Sequence, residues 1–230
     1  IWATTKPQKM FTAQANHPIS TKILASQVRG SNSDVILNFG TGLRQEGYLG
    51  QETTYATGTQ SLYGLRDSTV KSFPTGGTNT SQITLSQLEK QTVTAGTDVL
   101  STESANWATQ TGWYMNLSQV TMPGNTVAYE QVIYNPILEA GKYLLVNTFI
   151  NGSSPMLSCS VTNATGYTYP VSNITGAGLK GFWTGDFTGD AYRKQYDASG
   201  SPLLVTIDND LVFVHKKFNC RLGADKVFAP

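Results

Sequence analysis

Short apolar runs separated by Gly, Asn, Asp and Pro recur along the chain and predict an all-β protein. The runs are rich in Val, Ile, Leu, Tyr and Phe, which favour strands. They lie within residues 21–28, 33–42, 60–67, 112–117, 126–138, 141–150, 201–207 and 210–218. Evidence for helix is thin, since residues 80–93 fit helical spacing and alternation almost equally well. We leave the structure of that segment open.

Three of the predicted strands contain a fully apolar triplet, at residues 35–37, 144–146 and 203–205. Such triplets are typical of strands covered on both faces, as in stacked sheets. A β-propeller with four-stranded blades and a β-sandwich both predict this pattern. Irregular turn signals, with polar insertions near 72–110 and 151–181, favour propeller blades that carry loops on one face. We therefore expect residues 1–230 to belong to one β-propeller domain.

Charge and hydropathy exclude several classes of partner. The 16 basic and 15 acidic residues leave a formal net charge of +1, so no field attracts nucleic acid or anionic lipid. No apolar run approaches the roughly 20 residues needed to cross a bilayer, so we do not expect an integral membrane protein. The chain begins at Ile1 without a Met, and we expect it to be a processed or excised piece of a longer protein.

The two cysteines, Cys159 and Cys220, occur in neither a CxxC nor a Cys/His arrangement, which argues against a zinc site. In an oxidising compartment they could form a disulfide that stabilises the fold by roughly 2–4 kcal/mol. Two separate buried thiols are the alternative. Sequence does not decide between them, because it does not give the distance between the two Cα atoms.

A series of motifs resembles the C-terminal β-propeller of PilY/PilC-type proteins, the tip-associated adhesins and biogenesis factors of bacterial type IV pili. The resemblance depends on the order and spacing of several motifs. They are KMFTA (9–13), HPIST (17–21), VILNFGTGL (35–43), YLG (48–50), QSLYGLRD (60–67), GWYMNL (112–117) and EQVIYNPILEAGKYLLVNTFI (130–150).

The resemblance implies that the chain is the last part of a quinoprotein-like propeller. It further implies an exported protein that reaches the pilus tip and cell surface through the periplasm, binds minor pilins, and supports adhesion and pilus extension. Host or surface glycans are further candidate partners. Some members of the family bind calcium in an acidic loop, but this chain lacks that loop pattern, so no cofactor is expected in this portion.

The resemblance also assigns the FGTG and LYGLRD segments to blade elements, and we expect a structural role for them and for the GWY segment. These residues are Phe39, Gly40, Gly42, Tyr63, Gly64, Arg66, Asp67, Gly112, Trp113 and Tyr114. Alternation along 60–67 predicts that Tyr63 and Leu65 share one face, while Leu62 and Gly64 share the other. Arg66 and Asp67 then lie at the strand end. An isolated Arg-Asp pair at a strand end matches no catalytic template, so we expect a structural role for both.

Other residues are candidates for binding. Trp107, Trp183 and Tyr167 lie near Gly/Thr/Asn-rich segments, where aromatic rings can stack on sugars or anchor a protein partner. Asp186 and Asp190 are weak candidates for holding a cation, and turn formation is the simpler interpretation of both. We expect no catalytic residues. The alternatives are a carbohydrate-binding β-sandwich adhesin module and, less favoured, a quinone-dependent propeller enzyme.

Overall fold

Strands account for most of the regular structure in a computed structural model of the chain. It describes residues 9–28, 34–47, 52–67, 82–122, 125–152, 164–183, 189–197, 200–207, 210–216 and 222–227. The first eight strands are β1 (Leu24–Gln27), β2 (Val35–Gly40), β3 (Arg44–Gln45), β4 (Thr54–Tyr55), β5 (Ser61–Asp67), β6 (Leu88–Gln91), β7 (Gly112–Asn116) and β8 (Gln119–Thr121). The remaining nine are β9 (Val127–Gln131), β10 (Ile137–Glu139), β11 (Tyr143–Asn147), β12 (Phe149–Ile150), β13 (Thr165–Ser172), β14 (Lys194–Asp197), β15 (Leu203–Ile207), β16 (Asp210–Lys216) and β17 (Leu222–Val227).

The predicted all-β class is confirmed, and every predicted strand region contains a strand. The uncertain segment 80–93 forms a 3₁₀ turn at Leu85–Gln87 that leads into β6. Within the range expected to be an insertion, 151–181, lies the eight-residue strand β13. That range is therefore not only a loop.

A five-stranded sheet has the order β1-β2-β5-β7-β6. Strands β1, β2, β5 and β7 are antiparallel neighbours in chain order, whereas β6 pairs with β7 in parallel. A parallel neighbour requires a long crossover, which residues 92–111 provide. The sheet therefore combines a four-stranded meander with one added edge strand.

A seven-stranded sheet has the order β10-β11-β13-β12-β9-β8, with β14 also paired to β13. Strands β10, β11, β13 and β14 are again antiparallel neighbours in chain order. Strand β12 continues the line of β11 along β13 and pairs with β9. A three-stranded meander of β15, β16 and β17 follows, in which β15 and β16 pair as an antiparallel hairpin.

The main buried cluster joins the two large sheets. The five-stranded sheet contributes Leu62, Trp113 and Met115, and the seven-stranded sheet contributes Leu144, Val146, Tyr169 and Val171. A second cluster on the other face of the five-stranded sheet contains Phe39, Tyr63 and Leu65. The predicted alternation along β5 is confirmed, because its side chains divide between these two clusters.

A small arm formed by β3 and β4 leaves the five-stranded sheet between β2 and β5 and contacts the seven-stranded sheet. The buried side chain of Gln131 holds its base, because Gln131 Oε1 accepts hydrogen bonds from Leu43 N (3.0 Å) and Ala56 N (3.3 Å). The ring of Tyr55 also stacks on Phe149 at a centroid distance of 5.3 Å. One carboxamide therefore anchors both strands of the arm.

Candidate functional site

Arg66, at the end of β5, holds two loops in place. Its Nε donates a hydrogen bond of 2.9 Å to Asp34 Oδ2, and its Nη2 donates to the same oxygen. Its Nη1 contacts the carbonyl oxygen of Trp107 at 3.5 Å, and its guanidinium lies 5.2 Å from the centroid of the Trp107 ring. Arg66 thus links the start of β2 to the loop that precedes β7. Asp67 is the last residue of β5 and is half-buried.

Trp113 is fully buried between two glycines, one from each side of the main cluster. A Cβ atom at Gly64 or at Gly176 would overlap the indole ring, so both positions need a residue without a side chain. The indole Nε1 donates to the carbonyl oxygen of Asn173 at 3.2 Å. Because Asn173 follows β13, this one side chain contacts both large sheets.

Glycines at the ends of β2 and β7 allow equally close backbone approach. A Cβ at Gly40 would overlap the Val132 side chain, and one at Gly42 would meet the Val132 backbone. The amide of Val132 donates to the carbonyl oxygen of Thr41 at 2.9 Å, which fixes this approach. Gly112 lies against the carbonyl oxygen of Gly64 in the same way. These glycines have a packing role between neighbouring segments.

Aromatic rings cover the second face of β5. Tyr63 stacks on Phe39 at 5.3 Å and lies 6.4 Å from Tyr114, while Phe11 packs against it at an angle. The Tyr63 hydroxyl lies 3.2 Å from Nδ1 of His17. Burial lowers the pKa of His17 below its usual value. These aromatic rings form a packing layer, and the neutral His17 contacts it through the Tyr63 hydroxyl.

The most highly charged buried group lies in the seven-stranded sheet and was not singled out from the sequence. Glu130 in β9 is fully buried, and Arg193, just before β14, is 5% exposed. Arg193 Nη1 donates to Glu130 Oε2 at 2.7 Å, and Arg193 Nε donates to Asp98 Oδ1 at 2.9 Å. The guanidinium also lies 3.6 Å from the centroid of the Tyr167 ring and donates to the hydroxyl of Tyr169.

Glu130 accepts hydrogen bonds from four donors. Besides Arg193 these are Thr148 Oγ1 (2.5 Å), the Tyr169 hydroxyl (2.8 Å) and the backbone amide of Ser118 (3.0 Å). Burial, and then the charge of Glu130, raise the pKa of Tyr169 well above its usual value. Burial alone would lower the pKa of Arg193, but its interactions with Tyr169, Glu130 and Asp98 outweigh burial and raise it. Arg193 therefore stays charged and the Tyr169 phenol stays protonated at neutral pH.

Arg193 also ties the long crossover to the seven-stranded sheet. Its amide donates to the carbonyl oxygen of Asp98 at 3.0 Å, and Leu100 N donates to the carbonyl oxygen of Ala191 at 2.8 Å. Val99 and Tyr192 form an isolated bridge between the same two segments. A carboxylate inside the apolar run of residues 127–134 was the available sequence signal for a buried ion pair, but it did not identify the partner.

The architecture that these contacts support has a counterpart among solved structures. The chain is similar in fold to the C-terminal domain of Pseudomonas aeruginosa PilY1. The TM-score to that crystal structure is 0.60 at 19% sequence identity, over 93% of this chain and 45% of that one. The predicted resemblance is confirmed, and the chain spans less than half the length of the PilY1 domain structure. No protein-family model matches the sequence, and no curated protein matches it.

The three candidate aromatics of this PilY1-like fold lie in different environments. Trp183 is only 1% exposed, its Nε1 donates to the carbonyl oxygen of Tyr192 at 3.0 Å, and its ring packs against Phe182. That burial corrects the expectation that Trp183 serves as a binding ring. Tyr167 is partly exposed and is stacked on Arg193, and burial raises its pKa. Trp107 is also partly exposed, in the loop held by Arg66.

The remaining candidates are not brought into one site. Asp190 is exposed, whereas Asp186, Cys159 and Cys220 lie outside the described residues, so the expected disulfide stays a prediction. Within the described ranges, no three His, Cys, Asp or Glu side chains are grouped so that they could hold a metal ion. No helix in the described part of the chain is long and apolar enough to span a membrane.

Proposed function

We propose that this chain is part of a type IV pilus tip-associated protein, exported through the periplasm to the cell surface. There it forms blades of a β-propeller and acts as a platform that binds minor pilins and supports adhesion and pilus extension. The observation that carries this proposal is the similarity in fold to the PilY1 C-terminal domain over 93% of the chain. The ordered motifs between residues 9 and 150 support the same assignment from the sequence.

The sheet connectivity supports the propeller part of the proposal. Two separate runs, β1-β2-β5-β7 and β10-β11-β13-β14, each contain four antiparallel strands in chain order. Four-stranded meanders of this kind are the repeating unit of propellers. In this interpretation β3, β4, β6, β8, β9 and β12 are additions to the blades. The main cluster between the two sheets is then the contact between neighbouring blades.

We propose a non-enzymatic role, because the buried charged side chains of the described residues are engaged in structural contacts. Glu130 accepts four hydrogen bonds, and Arg193 and Arg66 each donate to a carboxylate. A carboxylate with four donors has no free position from which to accept a substrate proton. The quinone-dependent enzyme is therefore not proposed further.

The platform function is tested with purified components. Soluble domains of the minor pilins are immobilised, and binding of the 230-residue chain is measured by biolayer interferometry. We expect saturable binding, which weakens when an exposed apolar side chain in the contact is replaced by Asp. The described residues offer four such positions, Ile19, Ile23, Val127 and Leu203. Arg44→Asp on the exposed arm is the control for a change of charge alone.

Failure of every minor pilin to bind the folded chain would contradict the platform role. Binding that all four Asp variants retain would place the contact elsewhere on the chain. Folding of each variant is checked by circular dichroism, so that loss of binding is not confused with loss of structure.

A further inference from the structure

Trp107 is held in a rigid turn and remains partly exposed. Thr109 N and Gln110 N both donate to the carbonyl oxygen of Asn106, at 3.0 and 2.8 Å, and Ala108 N donates to Asn106 Oδ1 at 3.1 Å. Gln110 Oε1 accepts from Asn106 N at 2.5 Å, and Gln110 Nε2 donates to Glu89. The ring lies in none of the three buried clusters of the described chain. The turn is therefore ordered by its own hydrogen bonds rather than by burial of the indole.

Arg66 contacts the indole without making the site cationic. Its guanidinium lies 5.2 Å from the ring centroid, and its charge is balanced by Asp34, which accepts two of its N–H groups. A ring preorganised in this way loses little conformational entropy when a ligand stacks on it. The Arg66–Asp34 pair thus helps to hold the Trp107 ring in one orientation.

The polar groups of the same turn suit a neutral, hydroxyl-bearing ligand. Asn106 and Thr109 are exposed neighbours in the same turn, and Asn106 Oδ1 is already engaged by Ala108. The Asn106 carboxamide therefore presents its NH₂ group as a donor. Glu89, hydrogen-bonded to Gln110, places a carboxylate near the turn and disfavours an anionic ligand.

We propose that Trp107, supported by Arg66 and flanked by Asn106, is a binding site for a neutral hexopyranose. The C–H face of the sugar stacks on the indole, and a sugar hydroxyl accepts a hydrogen bond from Asn106 Nδ2. An indole is a large, flat apolar surface with a fixed orientation, and a pyranose offers a matching apolar face rimmed by hydroxyls. This site does not depend on the pilus role, so its failure would leave that proposal unchanged.

The test uses the ¹⁵N-labelled chain, titrated with the methyl glycosides of galactose, glucose and mannose and with N-acetylneuraminic acid. Tryptophan indole N–H resonances report on each ring, and the Trp107 resonance is assigned by its absence from Trp107→Phe. We expect a saturable shift of the Trp107 resonance with at least one neutral glycoside. The buried Trp113 and Trp183 should not shift. N-acetylneuraminic acid should bind more weakly.

Variants separate stacking from a change in fold. Trp107→Ala should weaken binding by about tenfold or more, and Trp107→Phe should retain part of it, because removing a stacked ring costs that order of affinity. Asn106→Ala should weaken binding severalfold, and Arg44→Ala should leave it unchanged. The proposal is overturned if no neutral glycoside shifts the Trp107 resonance, if Trp107→Ala binds as well as the parent, or if the acidic sugar binds best. Saturable binding of a minor pilin at Trp107 in place of any sugar would overturn it as well.

Discussion

The indole of Trp113 occupies the space that a side chain at Gly64 would need, although the two residues are on neighbouring strands of one sheet. Gly64→Ala should therefore lower the free energy of unfolding by about 2–3 kcal/mol, since added volume in a filled core forces strain. Gly176 closes the other side of the ring, so the indole has little freedom to move away. Urea denaturation followed by circular dichroism measures the change.

Combining this substitution with Trp113→Phe provides the control. Phe lacks the indole Nε1 that a Cβ at residue 64 would overlap. Gly64→Ala should therefore lower the free energy of unfolding by less in the Trp113→Phe variant than in the parent. Equal costs in both backgrounds would mean that the strain arises in the backbone and not at the indole.

Breaking the buried ion pair should be the most damaging of these changes. Arg193→Met leaves the fully buried Glu130 without its counter-charge and should cost about 3–5 kcal/mol. Adding Glu130→Met should recover part of the loss, because it removes the stranded carboxylate. Both variants are measured by urea denaturation at neutral pH.

The exposed ion pair of Arg44 with Glu46 supplies a matched comparison. Its Nη2–Oε1 distance is 2.8 Å, similar to that of the buried pair, but the two side chains are 44% and 67% exposed. Arg44→Met should therefore change stability by less than about 1 kcal/mol. Similar losses from Arg44→Met and Arg193→Met would refute the argument from burial.

Arg66 should matter more for the order of a loop than for global stability. Arg66 is 27% exposed but the Asp34 side chain is only 10% exposed, so Arg66→Met leaves a largely buried carboxylate without the Arg66 guanidinium and should cost about 1–3 kcal/mol. The Trp107 indole resonance should shift and amide exchange in residues 105–110 should accelerate. Arg66→Lys should also perturb this loop, because an ammonium lacks the fork that donates twice to Asp34. An unchanged Trp107 resonance in both variants would be incompatible with this role.

His17 should make stability depend on pH. Its pKa in the folded state lies below the usual 6.5, because burial is only partly offset by a hydrogen bond with the Thr59 backbone. The unfolded chain therefore takes up a proton first as the pH falls. The contribution of neutral His17 to the free energy of unfolding should be complete above about pH 7. It should decline as the pH falls through about 6.5 towards the lower pKa of the folded state.

His17→Gln removes this proton uptake and is the comparison for the pH series. As the pH is lowered from about 7.5 to about 5, the free energy of unfolding of the variant should rise relative to that of the parent. Parallel stability curves for the two proteins over that range would show that His17 titrates equally in the folded and unfolded states. Unfolding is followed by chemical denaturation at each pH.

The strands that could be predicted are those with a strong local signal. Apolar and β-branched runs mark β2, β11 and β16 because their composition alone favours a strand. Strand β13 was missed because Gly166 and Pro170 interrupt it and Thr and Ser dilute its apolar character. Pro170 is tolerated there because the pairing between β13 and β14 extends only from Thr165 to Thr168. Pro170 therefore does not need to donate to β14, and its carbonyl oxygen accepts a hydrogen bond from Leu179 N.

In the candidate site, too, features set by neighbouring residues could be predicted, whereas contacts between residues far apart in sequence could not. The position of Arg66 at a strand end follows from the pattern of residues 60–67, and the resemblance predicted a structural role for Trp113. The partner of Arg66 is 32 residues away, and the partners of Arg193 are 63 and 95 residues away. Such pairs depend on which strands become neighbours, and single-sequence patterns do not carry that information. The burial of Trp183 likewise depends on a distant segment, because it packs with Leu145 of β11.

The way Gln131 holds the arm of β3 and β4 has an engineering consequence. Because the Gln131 carboxamide and the stack of Tyr55 on Phe149 secure the arm near its base, changes made between its two strands should leave these contacts in place. A peptide epitope or an affinity tag grafted between residues 46 and 53 should be displayed without disturbing either sheet.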